Sequence, residues 1–336
     1  MTQKKTQSYW GLVWQQFQKN RLSVGAFYLV LFLIAVATFG NLISNNKPVF
    51  CIYEGDVMFP AFKDYGVSLG ITEWQGTFAI KDWKDLKYDS VIWPLVPYKA
   101  SSVDLMNPVA APSSEHFLGT DETGRDVLAG LIEGASISLS IGLVSMGVAL
   151  TIGIFLGCLA GYYGGWVDIA LSRLIEVVIT FPSFFLIIII AALYESSIWL
   201  VMLAIGLTGW TGIARFTRGE FLRVRNQEFV SAAQALGFRD TKIIFRHILP
   251  NALAPVLISA AFGIASAILT ESSLSFLGFG VPPTQVTWGS ILAGARGSTY
   301  AWWLAIFPGL MVFITVTAYN LLGEGIRDAL DPKLKT

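Results

Sequence analysis

The chain has 336 residues, of which 54% are apolar and 14% charged, and its mean hydropathy is +0.60. Composition this apolar places it among membrane proteins and excludes an ordinary soluble domain. Its 23 basic residues balance 23 acids, so net charge points to no acidic or basic partner, and two distant cysteines, Cys51 and Cys158, support neither a disulfide framework nor a metal site.

The N-terminal stretch Tyr9 to Arg21 is amphipathic. Tyr9, Trp10, Val13 and Phe17 share a helical face, which suits a helix lying in the membrane interface. Leu22 to Asn46 is then the first of six uncharged runs long enough for a spanning helix of about 20 residues. It continues past a signal-peptide-like Ala35-Val36-Ala37, so an uncleaved span is expected. The other runs are Gly134 to Val167, Val177 to Tyr194, Ser196 to Ala214, His247 to Thr270 and Gly297 to Gly323. Ser272 to Ala295 is also uncharged, but glycines and Pro282-Pro283 break it; it reads as an external loop, re-entrant where protein covers it.

Lysines and arginines set the orientation. Fifteen fall on one side if the N-terminus is cytoplasmic, among them Lys4, Lys5, Lys19, Arg21, Arg173, Arg327, Lys333 and Lys335; eight fall on the other. Both termini are therefore expected in the cytoplasm. Residues 47–117 form an external insert rich in aromatics and prolines. Val49 to Tyr53 and Val57 to Phe59, around Glu54-Gly55-Asp56, predict a small hairpin. The insert suits a contact surface for a binding protein, a cap over a pathway, or a lobe packing on itself.

Further along, Asp121, Arg125 and Asp126 can pair with one another just before the second span, with flanking glycines allowing tight turns. A structural ion-pair knot is expected there rather than a catalytic or metal site. Gly153, Gly157, Gly161 and Gly165 recur every four residues, a small-residue stripe suited to close helix packing against this chain or a partner. At the start of the third span, Arg173 can neighbour both Asp168 and Glu176, a network bracing a gate near the cytoplasmic end. Glu271 ends the fifth span beside Ser272, Ser273 and Ser275; it either faces a substrate path or is a structural acid bonded to loop backbone.

The most informative stretch is Arg215 to Asn251. It carries seven basic residues against three acids, between two apolar runs. It reads as two short helices, Asn226 to Leu236 stopped by Gly237 and Asp240 to Leu249 stopped by Pro250. Small side chains at Ala232, Ala233, Ala235 and Gly237 permit close approach of another protein. Ser231-Ala232-Ala233-Gln234-Ala235-Leu236-Gly237 followed by Arg246-His247-Ile248-Leu249-Pro250-Asn251 resembles the cytoplasmic signature of bacterial ABC-importer permeases. Ser231 and His247 depart from the general pattern in the manner of the oligopeptide/dipeptide/nickel (OppC/DppC-like) branch. Leu118-Gly119-Thr120-Asp121 with Gly124-Arg125-Asp126-Val127-Leu128, Glu271 to Gly278, and the tail from Asn320 to Pro332 are similar to further signatures of that branch. The insert, through Asn46-Lys47-Pro48, Tyr53-Glu54-Gly55 and Phe59-Pro60, resembles the Yej subgroup of peptide permeases, known for uptake of microcin-type peptides.

The resemblance implies an all-α membrane protein with six transmembrane helices in the type I importer permease fold, an N-terminal elbow helix over residues 1–21, a first span over 22–46 and a permease core over 118–336. It implies that the loop 215–251 is a coupling element docking on an ATPase, through Glu228, Ala232, Ala233, Ala235, Leu236, Gly237, Leu249 and Pro250. It further implies a second homologous permease, two ABC ATPases that bind the ATP and magnesium, an external substrate-binding protein and a peptide cargo, nickel or another small solute being the alternative. The chain has no G-x-x-x-x-G-K-[ST] phosphate loop, no H-E-x-x-H and no G-x-S-x-G, so no catalytic residue or cofactor is expected on it. A self-sufficient secondary transporter, the rival class, would show inverted repeats and midplane charges. A membrane-embedded enzyme would need a nucleophile–base constellation; neither pattern is present.

Overall fold

Apolar length decides most of this architecture. In the computed structural model, which describes residues 9–68, 70–74, 76–79 and 82–330, five helices are long and apolar enough to cross a membrane, or six if one bent pair counts as a single span. The readings placed on Lys4, Lys5, Lys333, Lys335 and Pro332 lie outside those residues. In chain order the elements are α1 (Tyr9–Lys19), α2 (Arg21–Ile43), β1 (Phe50–Tyr53), β2 (Asp56–Met58), α3 (Pro60–Ser68), β3 (Ser90–Ile92), α4 (Val127–Tyr163), α5 (Gly165–Thr180), α6 (Ser183–Leu193), α7 (Ile198–Arg225), α8 (Glu228–Ala235), α9 (Asp240–Lys242), α10 (Leu249–Leu277), α11 (Trp288–Gly294) and α12 (Trp302–Leu330). The described residues divide into two compact units, one drawing on residues 9–30, 141–270 and 314–330, the other on 31–140 and 271–313.

In the first unit, α4 packs its glycine stripe against α7. A methyl group on Gly153 would meet Ile213 Cβ at 2.6 Å, one on Gly157 would meet the Ala214 carbonyl oxygen at 2.5 Å, and one on Gly161 would meet Phe221 Cβ at 2.5 Å. The stripe is thus an internal seam that lets two backbones touch. Gly165 does not belong to it, because α4 ends at Tyr163 and Gly165 opens α5. Phe17 of α1 is buried and stacks edge-on against Phe27 of α2, and Ser23 and Phe17 meet Gly325 of α12.

Two expectations fail here for the same reason, the behaviour of proline. The third span is not one helix from Val177 to Tyr194. It breaks at Phe181-Pro182, and α5 and α6 meet at 73°. Phe181 precedes a proline and takes the extended conformation that such a residue prefers (φ −84°, ψ 123°). Pro250 does the opposite of what was expected and stops nothing. Residues 243–248 form a π-helical turn, in which the Leu249 N–H donates to the Ile244 carbonyl, and helix runs without interruption from Asp240 to Leu277. A proline ring clashes with the carbonyl four residues back only in a tight α turn, and the wider turn relieves that clash.

In the second unit the insert forms a three-stranded antiparallel sheet ordered β2-β1-β3, with Cys51 opposite Met58 and Val91. The expected hairpin is present. Its turn residues Glu54 and Gly55 both have positive φ (53° and 85°), the signature of the primed turns that match strand twist. Beside the sheet, Trp83 is buried and faces Trp74 (5.0 Å between centroids) and Phe78 (5.4 Å), so the insert has an aromatic core of its own. Asp64 anchors it, accepting from Lys47 Nζ, Trp74 Nε1 at 2.8 Å and Asn45 Nδ2 at 3.2 Å. Burial pushes the Asp64 carboxyl up, but these three donors outweigh it and hold the group below the usual aspartate value.

The segment after the fifth span is more helical than expected. α10 extends through Leu277, and α11 is closed by a capping box in which Thr287 and Ser290 exchange side-chain and backbone bonds. Trp288 is fully buried there, its indole N–H donating to the Leu131 carbonyl at 3.0 Å.

Candidate functional site

The candidate coupling element is α8 with its flanks. Gln227 precedes its first turn, and its C-terminal end carries a Schellman arrangement. The Phe238 N–H donates to the Ala233 carbonyl at 3.2 Å and the Gly237 N–H to the Gln234 carbonyl at 2.9 Å. Gly237 sits at φ +73° with open space around its Cα, so what this position demands is a backbone conformation rather than room. The helix starts two residues later than the sequence suggested, Asn226 serving as the C-cap of α7.

Burial splits the expected docking residues into two groups. Val230 and Ala233 (4% exposed) turn inward, into a cluster with Tyr162 of α4, Phe221 and Val224 of α7, and Ile243, Ile244 and Ile248. Glu228, Ala232, Ala235, Leu236 (73% exposed) and Gly237 turn outward, joined by Phe229 and Phe245, which composition alone did not single out. Ala233 is therefore a packing residue rather than a contact residue. The spacing signal that would have separated them is the inward pair at 230 and 233, three residues apart on one helical face. Of the remaining two, Pro250 is exposed and Leu249 packs against the same cluster. A hydrogen bond from Tyr162 Oη to Asp240 (2.7 Å) ties the end of α4 to the turn beyond α8, and Lys242 Nζ lies 3.8 Å over the Phe238 ring.

The expected Asp168–Arg173–Glu176 network divides. Among the described residues Arg173 pairs only with Glu176, on an exposed helix face where such a pair contributes little. Asp168 turns instead to Arg218 of α7, which engages it through Nε and through Nη2 at 2.6 Å. The 50-residue separation of that fork hides it from any local reading. It clamps the start of α5 to α7 a turn from where Gly161 meets the same helix.

Asp121, Arg125 and Asp126 form no ion-pair knot. Asp121 Oδ1 accepts from the N–H groups of Thr123 (2.8 Å) and Arg125 (2.9 Å), closing a turn. Asp126 caps α4 through the Ala129 N–H (2.7 Å) and pairs with buried His116 at 2.8 Å. The Arg125 guanidinium reaches the Pro283 carbonyl at 3.2 Å. Short polar residues beside glycine bond their own backbone first, and Asp126 at a helix start is worth more as a cap than as an ion partner.

Glu271 is completely buried and accepts from Ser275 Oγ (2.7 Å) and Thr287 Oγ1 (2.8 Å). It is a structural acid, bonded to hydroxyls rather than to loop backbone, and joins the end of α10 to the cap of α11. Among the described residues no group of three or more His, Cys, Asp or Glu side chains is placed to hold a metal ion.

α8 is a short amphipathic helix that buries Val230 and Ala233 and turns small and apolar residues outward. Residues 153–336 match the family described as the binding-protein-dependent transport system inner membrane component. The chain belongs to that family. Residues 8–57 also match the N-terminal transmembrane domain of oligopeptide transport permease C. The chain is 35% identical over 330 residues to the inner membrane ABC transporter permease protein YejE of Escherichia coli, covering 95% of this chain and 96% of that one. It is 39% identical over 231 residues to the dipeptide transport system permease protein DppC of Alkalihalophilus pseudofirmus, covering 68% and 76%. Among solved structures, an inward-facing MetNI methionine ABC transporter matches with a TM-score of 0.50 and 16% identity over 60% of this chain and 96% of that chain, a likeness of fold alone. The protein is thus a multi-pass inner-membrane ABC importer permease of type I fold, and its part in the machine is transport.

Proposed function

We propose that this permease is one of two homologous membrane subunits of an ATP-driven peptide importer in a bacterial cytoplasmic membrane. The observation that carries the reading is the outward face of α8, supported on a core shared by α4, α7 and the start of the helical run into α10. A load applied to that face is transmitted to three spanning helices at once, because packed side chains move as a body. Two ATPase subunits, which hold the ATP and magnesium, dock there; the permease itself does no chemistry. An extracytoplasmic binding protein delivers substrate on the side of the insert. Both termini are cytoplasmic, the side on which Arg215, Arg218, Arg223, Arg225, Arg239, Lys242 and Arg246 cluster. Peptide as cargo rests on the relatives named for dipeptide and oligopeptide transport.

The test is uptake of a radiolabelled tripeptide by the producing bacterium, by a deletion strain and by the complemented strain, with tagged permease recovered from gently solubilised membranes. Loss of uptake on deletion, and recovery of two ATPase subunits and a second permease, are expected. Undiminished tripeptide uptake in the deletion strain refutes the peptide assignment.

A further inference from the structure

The second unit holds a polar cavity of about 570 Å³, within the range of small-molecule sites. Its walls come from one face of α2 (with Asn41), from α3 (Tyr65), from the insert's turn at Lys99 to Ser101, from α4 (Glu133 and Ser136) and from the loop carrying Gln285. Glu133 is the unusual member. It stands within the first two turns of α4, just ahead of the uncharged run that begins at Gly134, and a carboxylate drawn into a cavity calls for a partner. Its Oε1 accepts the Ala100 N–H at 2.8 Å, and that is the carboxylate's one hydrogen bond among the described residues. Among the described residues no cation stands within 4.0 Å of it, although Lys99 lines the same cavity. The side-chain oxygen of Gln285 is likewise buried without a partner.

A mere tether between insert and α4 needs only the Ala100 bond, and a neutral acceptor would serve it. A carboxylate with spare acceptor capacity, an unpaired amide oxygen and a lysine lining one cavity make a different object. Their charges complement a zwitterion whose ammonium meets the acid.

We infer that this cavity is a substrate site in which Glu133 receives the primary ammonium of a peptide N-terminus. The inference rests on the peptide reading above and adds to it a place and a chemical group. Lys99 gives the same cavity attraction for the peptide's carboxylate end, and the 570 Å³ volume sets short peptides as the fit.

The experiment uses the whole importer complex in lipid nanodiscs, without binding protein, titrated with trialanine and with N-acetyltrialanine. An ammonium–carboxylate hydrogen bond is strong enough to favour trialanine by about ten-fold or more in the wild-type complex. Glu133→Gln keeps an acceptor for Ala100 and removes the charge. It is expected to weaken trialanine to the level of the acetylated peptide and to leave the latter's affinity alone. Equal weakening of both peptides, an unchanged ratio, or no saturable trialanine binding to the wild-type complex overturns the site. Trialanine uptake by wild-type cells is measured alongside. Its absence overturns the peptide reading and this site with it, whereas uptake with an unchanged ratio in Glu133→Gln overturns the site alone.

Discussion

Replacing Leu236 by aspartate separates docking from folding. The side chain is 73% exposed at the C-terminal end of α8, so the permease alone loses almost nothing, within about 0.5 kcal/mol for a surface change of this kind. If an ATPase groove covers that side chain, the variant forfeits the burial of one leucine, about 1.5–3 kcal/mol, before the cost of an unpaired carboxylate in the contact is added. Association with the ATPase is then expected to weaken by about ten- to a hundred-fold. The assay is recovery of ATPase subunits with the tagged permease, together with ATP hydrolysis and peptide uptake in the reconstituted complex. Normal membrane yield with lost ATPase recovery is the expected outcome. Ala233→Asp supplies the contrast: at 4% exposure it puts a charge into the cluster of Tyr162, Phe221 and Val230, and its yield should fall before any question of docking arises. Full ATPase recovery and full uptake with Leu236→Asp would falsify the docking role of this face.

Three further outcomes follow from contacts elsewhere. Gly157→Ala should lower the temperature at which the solubilised protein loses its monodisperse fraction, at a cost of about 1–3 kcal/mol, because the new methyl meets backbone at 2.5 Å and α4 must leave α7; an unchanged profile removes the seam. Glu271→Ala strands the hydroxyls of Ser275 and Thr287 and should cost about 1–3 kcal/mol in the same assay, with Glu271→Gln restoring a large part; equal loss in both would mean charge rather than bonding holds that joint. The folded-state value of Asp64 lies below its unfolded one, so its contribution is present above about pH 4 and drains away as pH falls through the lower folded value. Tryptophan fluorescence from Trp74 and Trp83 should report insert unfolding only in that acid range. Lys47→Met, which leaves burial to push the carboxyl up, should move the transition to higher pH; an identical transition in the variant removes Lys47 from the anchor.

What the sequence made legible was what local pattern encodes. Five of the apolar spans, the Glu54-Gly55 turn and the Gly237 stop each depend on nearby residues, and each is found in place. Misreadings fell where a distant partner or a neighbouring turn outranked local spacing. Asp168 had Arg173 within reach and took Arg218 fifty positions away, because a guanidinium fork on the facing helix offers two bonds at once. Pro250 carried a strong stop signal, overruled by the wider turn of residues 243–248. Ala233 and Ala232 are identical in sequence terms, and only the core beneath α8 assigns one to packing and the other to the surface.

That last distinction bears on how a coupling element has to be built. A helix of eight residues cannot hold its shape in water unaided. It can transmit a load only if one face is fixed to what must move and the other is free to be gripped. Val230 and Ala233 supply a fixed face, buried against α7 and the residues leading into α10, and the Schellman arrangement at Gly237 closes the C-terminal end of the helix. The glycine seam of α4 and the Asp168–Arg218 fork then tie α4 and α5 to the same α7. Displacement of α8 therefore has α7 as its first recipient, and weakening the seam or the fork should uncouple nucleotide hydrolysis from uptake without loosening the grip of the ATPase. A Gly157→Ala or Arg218→Met complex that retains its ATPases and hydrolyses ATP while moving less peptide per nucleotide is the expected result; a fall in ATPase recovery instead would place α7 in the docking surface rather than behind it.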